Sequence, residues 1–232
     1  MSDAPLGRCI GLIGGLGVGA AVYYYQELAK AHVARGRSLN LVMVHAQVDR
    51  VLGAVGAGDK QGLASYLAGL IARLRAAGAE FAVVPAVAPH IAIEELIQAS
   101  PLPMVNMIAA LQREMEARQL RRVALFGTRF AVESQLFGHL GGMEVITPHP
   151  DEVDLIYTTY LQLVGAGVGL SAQREGLSRL AHKLIERDRV EAVILAGTEL
   201  ALVFDESNTD FPHINCAAVH LNAILRRAME AG

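Results

Sequence analysis

A few short stretches of this chain carry residue types that bind anions or move protons. HAQVDRV, residues 45–51, follows an apolar run and sets His45, Asp49 and Arg50 close together. Arginine offers a planar fork matched to carboxylate or phosphate, which makes Arg50 a candidate ligand anchor. The plain alternative is an Asp49–Arg50 surface pair that only starts a loop. AGTEL, residues 196–200, ends another apolar run and brings out Thr198 and Glu199. A carboxylate leaving VILAG for a partly desolvated cleft suits acid or base work. A helix N-cap at Thr198, with Glu199 in a first turn where the dipole favours negative charge, accounts for the same residues structurally. FGTRF, residues 126–130, repeats the pattern with Thr128, either a donor to a ligand carboxylate or a helix cap. VVPAVAPH, residues 83–90, also runs from a strand into a loop, yet His90 is its sole proton-moving group.

Two further patterns are weaker. GLIGGLGVGA invites a dinucleotide-binding reading, but after Gly15 and Gly17 the third glycine comes at Gly19, one place early. No acid closes the next apolar run, LNLVMVHA, so no nicotinamide or flavin cofactor is expected. The loop at Gly15 can still offer backbone N–H groups to an anion. Cys9 and Cys216 are the only cysteines, too few for a disulfide framework and wrongly spaced for a metal site. Cys216 stands four residues before His220, which allows a thiol–imidazole pair on one helix face or simple core packing.

The elements that must position these residues are legible from periodicity. Apolar runs at 9–14, 39–46, 80–87, 103–107, 122–128, 143–148, 190–197 and 212–216 alternate with segments such as KQGLASYLAGLIARLRAAG, whose apolar residues recur at helical spacing. Strands apolar on both faces and separated by helices predict parallel sheets, an α/β fold. CIGLIGGLGVGAAVYYYQEL parallels RVALFGTRFAVESQLFGHL, and AGAEFAVVPAV parallels RDRVEAVILAGTEL. The chain therefore reads as two similar doubly wound halves, residues 1–107 and 108–212, with a last helix within 213–232 returning to the first half. Ligands in such sheets bind beyond the carboxyl ends of strands, so the loops after residues 14, 46, 85, 127 and 196 are expected to converge on one cleft, with His45, Asp49 and Arg50 near its edge.

Composition bounds the partners. The 232 residues are 53% hydrophobic and 19% charged, with 20 Lys plus Arg against 23 Asp plus Glu and a net charge of −3. Nothing here favours nucleic acid or an anionic membrane. The N-terminus lacks a basic segment followed by a long apolar one, so a cytoplasmic location is expected.

Taken together, GLIGGLG, QVDR, VALFGTRF and GTEL resemble motifs of the aspartate/glutamate racemase superfamily, and the resemblance extends over essentially the whole chain. It implies two pseudo-symmetric α/β halves with a site between them, no cofactor, no metal, a small carboxylate-bearing ligand and a homodimer. Family members use one cysteine from each half on opposite faces of the substrate's α-carbon. The first motif, P-C-N-T-A-H, aligned through Pro85 and His90, puts Ala86 where the cysteine stands; members with the cysteine one place earlier put it at Pro85. The second, G-C-T-E, puts it at Gly197. A lysine that helps hold the substrate in aspartate racemases falls on Gly165. The resemblance thus implies loss of both thiols, with Asp49 and Glu199 kept as acids, Arg50 as the substrate-side arginine, and Thr128 and Thr198 as cleft threonines; Gly15 and His45, from the residues themselves, are taken as ligand-side neighbours. Two readings follow: an enzyme using cofactor-independent acid–base chemistry through Glu199 and Asp49, such as an isomerase, lyase, decarboxylase or cyclase, or a ligand-binding protein that has lost catalysis.

Overall fold

The computed structural model describes residues 6–133 and 143–230. Among the described residues, eight strands form two four-stranded sheets, and each strand falls inside one of the apolar runs. The first sheet contains β1 (Ile10–Gly14), β2 (Leu41–His45), β3 (Phe81–Val83) and β4 (Met104–Val105), in the order β2-β1-β3-β4. The second contains β5 (Arg122–Phe126), β6 (Glu144–Ile146), β7 (Ala192–Leu195) and β8 (His213–Asn215), in the order β6-β5-β7-β8. All pairings are parallel. The two orders are the same arrangement offset by four strands, which is the structural form of the internal repeat.

Burial follows position in the sheet. Every residue of the inner strands β1, β3 and β7 is buried, and β5 is buried except at Arg122. The edge strands β2 and β6 keep partly exposed positions. Inner strands of a helix-covered parallel sheet meet apolar neighbours on both faces, hence the unbroken runs IGLIG and AVIL.

The helices are α1 (Val18–Val33), α2 (Val48–Ala57), α3 (Lys60–Ala76), α4 (Ile93–Ala99), α5 (Met107–Ala117), α6 (Arg129–Glu133), α7 (Pro150–Ala166), α8 (Ser171–Asp188) and α9 (Cys216–Met229). Residues 134–140, which close the second copy of the opening repeat, lie outside the described residues. Backbone contacts separate one unit of residues 1–107 and 220–232 from another of 108–219. Because β8 pairs with β7, residues 213–215 belong to the second sheet. None of the described helices is long and apolar enough to cross a membrane.

Candidate functional site

In each unit the chemically capable residues gather at the carboxyl ends of parallel strands, where strand geometry leaves backbone and side chains free of the ladder. In the first unit, Gly15 follows β1 with a φ of +84°, a conformation that favours glycine. A Cβ there would also lie 2.5 Å from the Ala46 carbonyl oxygen and 2.8 Å from the His45 ring. His45 ends β2 and is exposed.

Asp49 and Arg50 lie exposed in the first turn of α2. The Arg50 guanidinium sits 4.3 Å from the centre of the Tyr66 ring, and the Tyr66 hydroxyl accepts the Gln47 backbone N–H at 2.7 Å. One tyrosine thus holds the start of α2 and carries the arginine by a cation–π contact. The two line an open pocket of about 340 Å³ with Asp49, Asp59 and Gly62. Tyr66 carries no motif; its place on α3 shows only in the fold.

The PAVAPH loop follows β3. Pro85 is buried and Ala86 half-buried. His90 is buried: its Nδ1 donates to the Ala86 carbonyl at 2.8 Å and its Nε2 accepts the Met107 N–H at 3.4 Å. Burial pushes its pKa down to about 4. His90 is therefore a neutral staple closing its own loop. His220, on α9, lies close to it in the same unit, with ring centres 6.3 Å apart. Its Nε2 bonds the Val105 carbonyl at 3.0 Å and its Nδ1 bonds the Tyr24 hydroxyl at 3.1 Å. Burial, then His90, lowers its pKa to about 3. With both ring nitrogens engaged, His220 forms no pair with Cys216. That thiol is buried, and burial followed by the charge of Glu199 pushes its pKa up to about 12.

In the second unit, Gly197, Thr198 and Glu199 follow β7. Gly197 is the N-cap of a short 3-10 helix, Thr198–Leu202, so Thr198 opens the helix instead of capping it. Its hydroxyl donates to Glu199 Oε2 at 3.0 Å. The Tyr160 hydroxyl, from α7, donates to the same oxygen at 2.5 Å. Glu199 is 3% exposed and makes no ion pair among the described residues. The unit's other buried glutamate, Glu152, is 4% exposed and differs in kind. It is bridged by Arg187 and Lys183, both at 2.7 Å, and the Arg187 hydrogen bonds, above all, hold its carboxyl down at about 2. A buried acid normally has such a cation; Glu199 has two hydroxyls.

Tyr160 was not apparent from the sequence. The available signal was a tyrosine on the buried face of an amphipathic helix, whose hydroxyl needs a partner. Thr128, half-buried after β5, accepts the Ala131 N–H at 3.0 Å and so caps α6. No group of three or more His, Cys, Asp or Glu suited to a metal occurs among the described residues.

A model of the Asp/Glu/Hydantoin racemase family matches residues 13–224. An aspartate racemase homologue from Pyrococcus horikoshii OT3 superposes with a TM-score of 0.82 at 24% identity, covering 96% of this chain and 100% of that one. The Picrophilus torridus aspartate racemase gives 0.74 at 17% identity, over 97% of this chain and 96% of its own. An arylmalonate decarboxylase gives 0.53 at 13% identity, over 97% and 94%. At these identities the structural likenesses speak to fold, which thus houses proteins described as racemases and a decarboxylase alike.

Proposed function

Starting from a chain that belongs to the Asp/Glu/Hydantoin racemase family, we propose a cofactor-independent acid–base enzyme acting on a small carboxylate-bearing molecule without the two-cysteine mechanism. The observation that carries this reading is Glu199: a carboxylate buried to 3% exposure, held by hydroxyls alone and set at the carboxyl end of β7. An acid placed so, with no cation, is costly to the fold and is the kind of group found at working sites. The positions that the family motifs give to cysteine are Ala86, or Pro85, and Gly197, so carboxylates, Glu199 above all, take the place of the thiol pair in this reading.

In this reading Glu199 takes or returns a proton at the carbon next to the substrate carboxylate. Arg50 is the anchor for that carboxylate. Asp49, exposed on α2, has the lesser part of a second, solvent-side acid. Thr198 acts through Glu199, while Gly15, His45 and Thr128 shape the ligand's surroundings. Isomerisation, elimination, decarboxylation and cyclisation share the need for a stabilised carbanion and one well-placed acid or base. The protein is proposed to work as a homodimer in the cytoplasm.

A panel of amino acids, hydroxy acids and arylmalonate-like acids, incubated with the protein in D₂O and read by mass spectrometry, tests the proposal. Exchange or conversion of one compound is expected, with Glu199→Gln slowing it by roughly 100-fold or more, and Arg50→Ala raising KM more than it lowers kcat. Thermal stabilisation by some of these acids without exchange of any of them sinks the enzyme reading. It favours the second one, a ligand-binding protein, for which the specific observation is the PAVAPH loop, whose only titratable group is bonded at both nitrogens to backbone.

A further inference from the structure

Resting on the reading of Glu199 as the proton carrier, we propose that Tyr160 is its positioning residue and that residue 197 is glycine to make room for the Tyr160 ring. The steric half of this follows from two numbers. Gly197 has φ −130° and ψ 126°, extended backbone that any residue adopts. Conformation therefore does not call for glycine. Space does: a Cβ on residue 197 would lie 2.3 Å from Tyr160 Cε2, 2.9 Å from Cδ2 and 3.1 Å from Cζ. Those are ring atoms of a side chain packed in the core of the second unit with Phe126, Ile156 and Leu200, so the ring cannot swing aside as the end of a flexible chain would.

The chemical half follows from where the hydroxyl ends. Both hydrogen bonds to the Glu199 carboxylate fall on Oε2, one from Tyr160 and one from Thr198. The two oxygens are thereby made unlike: Oε2 is anchored, and Oε1 has no protein donor among the described residues. Proton transfer then runs through Oε1. The substrate C–H bond breaks, its electron pair stays on carbon and spreads into the adjoining carboxylate, and the proton forms a bond to Oε1; return of the proton reverses each change. Tyr160 itself remains a neutral phenol and keeps its proton, because burial and then the neighbouring Glu199 charge raise its pKa well above the usual tyrosine range. Ring and glycine are a matched pair, the ring taking the volume in which a side chain at 197 would otherwise carry the chemistry.

The test uses protein labelled with ¹³C at the tyrosine Cζ, observed by NMR at neutral pH, with Tyr160→Phe identifying the Tyr160 signal. Glu199→Gln removes the charge that the phenol faces, and the Tyr160 signal is expected to shift while the other tyrosine signals stay. Should Glu199→Gln not fold, Glu199→Asp withdraws the carboxylate by one methylene and serves the same readout. Gly197→Ala is expected to move that signal as well and to lower the melting temperature, a loss relieved when it is combined with Tyr160→Leu. A Tyr160 signal indifferent to Glu199 overturns the positioning role, and a Gly197→Ala protein as stable as the parent overturns the steric one. Because this readout needs no substrate, it separates two failures. A shifted signal with no exchange of any acid in D₂O leaves the pair standing and removes the enzyme; an unshifted signal with exchange that Glu199→Gln abolishes does the reverse.

Discussion

Glu152 and Glu199 are nearly equal in exposure and opposite in meaning, and the difference lies in their partners. Glu152 joins Arg187 and Lys183, so its burial is compensated; Glu199 has hydroxyls only. The cysteines divide in the same spirit. Cys9 and Cys216 are buried, and desolvation raises both thiols, Cys216 to about 12. Since the thiolate is the reactive form, neither is expected to react with a disulfide reagent at pH 8 in the native protein, and both should react once it is unfolded in urea. Native labelling of Cys216 with loss of exchange activity would return a thiol to the mechanism. At this scale the sequence named Glu199, Thr198, Asp49 and Arg50 because their chemistry is local to a motif. It could not name Tyr160, whose hydrogen bond spans 39 residues, nor Tyr66, because such pairings depend on how helices lie against strands.

At the scale of elements, the ties between neighbouring helices and strands carry measurable weight. Glu152 accepts the His149 N–H at the start of α7 and holds Arg187 near the end of α8 through two hydrogen bonds. Glu152→Gln keeps the shape and removes the charge, and should lower stability by about 1.5–3 kcal/mol, the range for hydrogen bonds to charged groups, read by urea denaturation. A variant as stable as the parent would show that the tie is screened away by solvent. The strands themselves were legible because an inner parallel strand must be apolar on both faces, and β1, β3, β5 and β7 are. Their ends were less so. The run 80–87 promised a longer strand than Phe81–Val83, but Pro85 has no N–H for the ladder and Ala88–Ala92 turns into a 3-10 helix.

For the molecule as a whole, two of the three histidines buried among the described residues, His90 and His220, contribute to the response to acid. His90 and His220 are held near 4 and 3, below the 6.5 or so of an unfolded chain. The unfolded state therefore takes up protons that the folded state refuses. Their contribution to stability is intact above pH 6.5 and is lost as the pH falls toward 4 and 3, with a slope approaching about 1.4 kcal/mol per pH unit for each histidine. Glu152 contributes its own loss only below about 4.5, toward 2. Denaturation curves between pH 7 and 5 should thus show a decline that His90→Gln and His220→Asn flatten; a decline unchanged by both would place the cause elsewhere. Both histidines belong to the first unit, and His220 reaches it from α9. The first unit is therefore written in two pieces, with the second unit's 108–219 between them. On the ribosome, the uninterrupted unit has all of its residues before the earlier one does. Tyr24 and Val105 emerge early and must wait, unpartnered by His220, through more than a hundred codons.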